Sequence, residues 1–171
     1  DGSRGFMSTA TIIGDTTNGF YCYLDGGGLV ISYDKNLADA ERGYFSFYYN
    51  EEDWETSTNG EKFINNAHVV TWSKYEVIHP ISQEEANDTN VAENCQLPSL
   101  LGIGYGYRGY FDLHAGFSTF NSITGEKIQG KISLVYDPQE QTQDSLKLQL
   151  YYNPNTPDDW SKTQTDYETV S

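Results

Sequence analysis

Ile103-Gly-Tyr-Gly-Tyr-Arg-Gly-Tyr-Phe-Asp-Leu-His-Ala-Gly-Phe-Ser-Thr-Phe120 is the stretch that decides the fold. It is strand built from tyrosine. Shorter copies of the same texture are Phe20-Tyr21-Cys22-Tyr23, Tyr44-Phe45-Ser46-Phe47-Tyr48-Tyr49 and Leu150-Tyr151-Tyr152. A tyrosine offers a broad apolar ring and a hydroxyl that stays wet. It therefore suits a pleated surface buried on one side and close to water on the other. The texture predicts an all-β protein. It names no reaction, because no catalytic constellation accompanies it.

Working outward, Ser8–Ile13 reads as a first strand, closed by the turn residues Asp15-Thr16-Thr17-Asn18-Gly19. Phe20–Leu24 and Leu29–Tyr33 follow as a hairpin around Asp25-Gly26-Gly27-Gly28. Gly43–Asn50 is an aromatic strand, and Glu51–Lys62 a long acidic loop. Asn66–Ile81 reads as one long strand, bent along its length. Five strands in so short a span predict a small closed barrel, since closure removes exposed edges. Pro80-Ile81-Ser82 through Asn90 is polar, with a capping-box pattern at Ser82 and Glu85 that predicts a short helical turn. The domain boundary falls there, giving a barrel over residues 1–80 and a second domain over 81–171. Beyond Pro98 the β texture returns: Leu100–Ser118 as two strands or one bent pair, then Lys131–Tyr136 and Leu146–Tyr152, with an edge strand at Thr163–Val170. Short strands with turn signals between them predict a β-sandwich.

Composition excludes some function classes. The 171 residues carry 25 acids and 10 bases, a net charge of −15, and acids outnumber bases in both halves. Such a surface repels phosphate, so no nucleic acid partner is expected. No apolar run is long enough to span a membrane. The polar, glycine-rich start, Asp1–Phe6, reads as the trimmed end of a leader or tether. Cys22 and Cys95 admit two readings, a pair of free thiols or one disulfide formed in an oxidising compartment.

The motifs that suggest chemistry each have a plainer explanation. Gly104-Tyr105-Gly106-Tyr107-Arg108-Gly109 matches G-x-G-x-x-G, but strand rather than helix follows it, so the glycines bend the strand or admit a close backbone. His68, His79 and His114 lack metal-ligand spacing. Glu51, Glu52, Asp53 and Glu55 beside Trp54 lack the spacing of a calcium loop. Asn87-Asp88-Thr89 matches a glycosylation acceptor. No G-x-S-x-G occurs, and nothing singles out a carboxylate pair for glycoside hydrolysis. No cofactor and no catalytic residue is expected. The aromatics are the functional lead: Trp54, Trp72, Tyr105, Tyr107 and Trp160 are the candidate binding residues, either stacking on sugar rings or anchoring a protein.

The order of segments carries a family resemblance. It runs from Ala10–Ile13 and Phe20–Gly27 through Arg42–Phe47, Lys74-Tyr75-Glu76-Val77-Ile78 and Tyr110–Phe117 to Lys131–Asp137 and Ser145–Leu150. In this order the chain resembles the NigD-like proteins of Bacteroidales, cell-envelope lipoproteins named for a bacteriocin-associated locus. The resemblance implies an N-terminal OB-like β-barrel followed by a C-terminal immunoglobulin-like β-sandwich. It implies export to the periplasm or outer membrane, with a lipid anchor upstream of Asp1. It transfers no catalytic residue. The expectation is a non-enzymatic envelope protein that binds a protein or glycan partner. The alternatives are a bacteriocin immunity or inhibitor protein, or a carbohydrate-active hydrolase.

Overall fold

The computed structural model describes residues 2–121, 123–127, 130–155 and 163–171. The chain is all-β with one short helix. It divides into two compact units. The first takes the described residues up to Val77, together with Ile103–Asp112 and Ser171; the second takes the described residues of Ile78–Gly102 and Leu113–Val170.

The first unit is built on β1 (Arg4–Asp15), β2 (Gly19–Leu24), β3 (Leu29–Ser32), β4 (Arg42–Tyr49), β5 (Trp54–Thr56), β6 (Lys62–Ile64) and β7 (His68–Lys74). They form one seven-stranded sheet in the order β5-β6-β3-β2-β1-β4-β7. β1 is long because it serves two partners. Its first part pairs with β4 and its last part with β2, sharing Ala10 and Thr11. Period-two alternation puts Ala10, Ile12, Phe20, Cys22, Phe45 and Phe47 on one face, where they bury against Val30, Leu37, Ile64, Ala67 and Val69.

Chain length forces this sheet to curl. Five strand spacings, about 24 Å if flat, separate β6 from β7 in the order. Yet β6 ends at Ile64 and β7 begins at His68, and that link reaches at most about 14 Å. The inner face therefore buries against itself. Ladder pairing does not close the ring; three bonds cross the seam between the β3 side and β7. The Ala67 amide donates to the Ile31 carbonyl at 3.0 Å. The Val69 amide donates to Asp34 Oδ2 at 3.2 Å, and Asn36 Nδ2 donates to the Val69 carbonyl at 3.0 Å. Asp34 also caps the short 3-10 turn Lys35–Leu37 through its bond from the Asn36 amide. Asp34→Ala removes both acceptors at once. It is expected to lower the first unit's stability by about 1–3 kcal/mol in urea unfolding, with Asp34→Asn, which keeps one of the two acceptor oxygens, losing about half of that.

The second unit contains α1 (Gln83–Asp88), β8 (Ser99–Gly106) as far as Gly102, β9 (Tyr110–Asn121) from Leu113 onward, β10 (Lys131–Val135), β11 (Gln149–Asn153) and β12 (Thr163–Val170). β12, β9 and β8 form one sheet, β10 and β11 another. Both sheets feed one core of Ala115, Phe117, Ile132, Tyr152 and Val170, in which the Phe117 and Tyr152 rings lie 4.8 Å apart. Ser82 caps α1 by accepting the Glu85 amide, as the capping pattern requires.

Three expectations are corrected. The acidic Glu51–Lys62 stretch holds β5 and the start of β6, strands of three residues each and too short to alternate visibly. The long strand expected over Asn66–Ile81 stops at Lys74, because the Tyr75 amide turns to the Arg42 carbonyl and Ile78 packs in the second core. The strand expected from Leu146 begins at Gln149.

Candidate functional site

The charge centre of the first unit is Arg42, whose side chain is fully buried. It opens β4 on the face opposite the aromatic core, in register with Thr11 of β1. Asp25 follows β2 at the hairpin turn, and Asp112 lies in the part of β9 that belongs to this unit. Nη1 and Nη2 of Arg42 donate to the two oxygens of Asp25, each at 2.7 Å. Nε and Nη2 donate to the two oxygens of Asp112 at 3.1 and 2.5 Å. Nη1 also donates to Thr11 Oγ1 at 3.0 Å. A guanidinium has five N–H donors, and all are engaged. None is left for a ligand anion.

This group is a clasp. The Tyr107 amide donates to Asp25 Oδ1, and the Thr11 hydroxyl donates to the Tyr107 carbonyl, both at 3.0 Å. Together with Asp112 these bonds fasten residues 103–112 onto the outer face of the sheet. Rings complete the fastening. Tyr107 stacks on Tyr23 with centroids 5.3 Å apart and planes 5° apart. Arg108 lies 4.9 Å from the Tyr23 centroid, and the Tyr110 hydroxyl donates to Glu41 at 2.6 Å. Gly106 meets the guanidinium face-on, and a Cβ there would lie 2.6 Å from Arg42 Cζ.

Burial alone would push the Asp25 carboxyl up. The bonds from Arg42, the Tyr107 amide and Thr9 outweigh it and bring the pKa down from 3.8 to about 2. Burial opposes the charge on Arg42 too, and the two aspartates more than restore it, raising its pKa. Since Asp25 is depressed in the folded state, its contribution is complete above the unfolded value and drains as pH falls from about 4 towards 2. The urea midpoint of the first unit is therefore expected to fall over that window, and Asp25→Asn to flatten the fall. A wild-type midpoint that holds level from pH 4 to 2 contradicts the assignment.

Outside the clasp, register places Met7, Ile13, Tyr21, Tyr44 and Tyr48 on the same outer face, each between 38% and 55% exposed. With Tyr107 they make an aromatic platform. The sequence candidates fall as follows. Tyr107 is part of the clasp; Tyr105 packs against Phe111 at 5.2 Å and is 81% exposed. Trp54 and Trp72 lie on β5 and β7, the end strands of the sheet order, with Trp54 set edge-on against Tyr49 at 5.9 Å. Trp160 lies outside the described residues. Cys22 and Cys95 are both free thiols, and burial pushes Cys22 up to about 12. Arg42, Asp25 and Asp112 were not legible as site residues. The available signal was a charge set inside or against an apolar run, as in Arg42-Gly43-Tyr44-Phe45 and Tyr110-Phe111-Asp112-Leu113.

Among the described residues no group of His, Cys, Asp and Glu is placed to hold a metal ion. A cleft of about 70 Å³ in the second unit is lined by Thr89, Asn90, Val91, Lys131, Ser133 and Asn153. That is well below the roughly 300 Å³ of a small-molecule site.

In fold, the chain is similar to a protein of unknown function, DUF1344, from Bacteroides vulgatus. The TM-score is 0.56 and the identity 15%, over 98% of this chain and 74% of that one. It is similar also to a NigD-like immunity protein from Bacteroides caccae, with a TM-score of 0.56 and 17% identity over 96% of this chain and 75% of that one. No protein-family model and no curated protein matches. The NigD-like resemblance seen in the order of segments thus has a counterpart in three dimensions.

Proposed function

We propose that this chain is a non-enzymatic binding protein of the cell envelope, exported and lipid-anchored, whose partner is a protein. The observation that carries the reading is the platform of Met7, Ile13, Tyr21, Tyr44, Tyr48 and Tyr107, an exposed set of rings and aliphatic groups on one sheet face. Tyr and Met are the residue types enriched where proteins meet. A glycan is the weaker choice: of the described tryptophans, Trp54 lies on β5 at the far end of the sheet order from β4, and Trp72 on β7 is in register with the core residue Phe45 rather than with an outward tyrosine. A hydrolase is disfavoured: Asp25 and Asp112, the carboxylates brought together here, both pair with Arg42, and the depressed carboxyl of Asp25 makes a poor general acid.

The same reading takes the first unit as an OB-like barrel and the second as an immunoglobulin-like sandwich, with the chain first passing from one to the other near residue 80. The short Ile64–His68 link and the bonds across the seam support the barrel, and the core shared by two sheets supports the sandwich. Likeness in fold to a NigD-like immunity protein makes bacteriocin immunity the second reading. Deleting the gene would then sensitise cells to a neighbouring strain's toxin.

The test compares the immobilised protein with a Met7→Ser, Tyr44→Ser, Tyr48→Ser variant in envelope extracts and on a glycan array. The wild type is expected to retain a discrete protein, which the triple variant binds at least about 30-fold more weakly, the scale of one lost hot spot. Capture of nothing, or binding confined to glycans, overturns the reading.

A further inference from the structure

Among the described residues β8 leaves one edge without a ladder partner. β8 stands at the end of the sheet order β12-β9-β8. Its portion in the first unit exposes Ile103 at 59% and Tyr105 at 81%. Native edge strands are normally protected by Lys, Pro, inward charges or brevity. β8 is eight residues long, and Ser99–Gly106 contains no charged residue and no proline.

Gly104 adds an independent observation. It lies inside the strand, does not adopt the left-handed backbone that calls for glycine, and a Cβ there would meet nothing within 4 Å. Glycine inside a strand weakens it and often marks the close approach of another backbone. Gly106 has such a reason in the Arg42 guanidinium. Among the described residues Gly104 has none. The clasp meanwhile holds the segment that follows in one fixed conformation, which lowers the ordering cost of binding.

We infer that the Ile103–Gly106 edge of β8 takes an extended, basic segment of a partner protein by strand addition. Ile103 and Tyr105 present alternate side chains on one face, and Gly104 leaves the other face bare for the side chains of the added strand. The occupant is basic because the chain as a whole carries −15 while the strand itself is uncharged. A second copy would bring −15 against −15. The inference rests on the binding-protein reading and specifies how that binding occurs.

The probe is a nine-residue capped peptide alternating Val and Lys. Its control is the same peptide with N-methyl groups on three consecutive central residues, which keeps the charge and blocks both backbone edges. At saturation the parent peptide is expected to slow hydrogen exchange of amides within Ile103–Gly106 about tenfold, and the control to bind at least tenfold more weakly. Ile103→Lys with Tyr105→Lys, which places on two exposed positions the charges that protect native edges, weakens the parent peptide about tenfold. Unchanged exchange at saturating peptide overturns the inference. So does equal binding of the control, which indicates charge alone, or protection that grows with protein concentration, which indicates a second copy. A partner captured from extracts that ignores the Ile103→Lys, Tyr105→Lys variant yet is lost with Met7, Tyr44 and Tyr48 keeps the binding reading and removes strand addition. Failure to capture any partner removes the binding reading itself.

Discussion

Arg42→Met is expected to lower the stability of the first unit by about 3–5 kcal/mol, the cost of leaving a buried charge pair without one partner. The substitution keeps an unbranched apolar stem of similar reach and takes away the guanidinium. Asp25 and Asp112, whose side chains are 17% and 15% exposed, then face each other with no cation between them. The Thr11 hydroxyl loses its donor as well. Arg42→Lys should recover little, since an ammonium cannot satisfy two carboxylates bidentately. Arg42→Met combined with Asp25→Leu and Asp112→Leu should recover much of the loss, because no uncompensated charge remains. Urea unfolding followed by tyrosine fluorescence measures all three. Trypsin supplies a local readout at Arg108, which sits in the turn held down by the clasp. Its cleavage is expected to accelerate in Arg42→Met before global unfolding is seen. If Arg42→Met costs less than about 1 kcal/mol, the clasp is not what holds residues 103–112.

The strands were legible where side-chain period and burial agree. Phe20-Tyr21-Cys22-Tyr23 and Tyr44–Tyr49 alternate between a core face and a wet face, and they form β2 and β4. β5 and β6 were hidden because each has only three residues, too few to carry a period. The segment from Asn66 to Ile81 misled for another reason. Its alternation continues past Lys74, but the residues beyond serve two different units, with Tyr75 bonding to Arg42 and Ile78 packing beside Ala115 and Phe117. The clasp was illegible because Asp25, Arg42 and Asp112 are far apart in sequence, and each also reads as an ordinary surface charge. Only the fold brings Ile103–Asp112 onto the sheet made by the first 77 residues. The same holds for the aromatics. Sequence weighted the tryptophans by size, whereas register decides that the tyrosines of β2 and β4 share the exposed face.

Gly106→Ala tests the clasp from its other side. A Cβ at this position would lie 2.6 Å from Arg42 Cζ and 2.7 and 2.8 Å from its two Nη atoms. A long side chain ordinarily yields to such an intrusion at little cost. This one cannot, because all five of its donors are committed to Asp25, Asp112 and Thr11, and any shift lengthens several bonds together. Either the guanidinium gives up part of its network or residues 103–112 lift from the sheet. Overpacking of this kind costs about 1–3 kcal/mol. The two substitutions act on one contact, so their effects must overlap. In an Arg42→Met background the alanine meets a flexible apolar chain, and its cost is expected to fall below half of the wild-type value. A double-mutant cycle in urea reads this as a coupling of at least about 0.5 kcal/mol. Additive losses would mean that Gly106 and Arg42 act separately, and the face-to-face packing of backbone on guanidinium would then have no energetic weight.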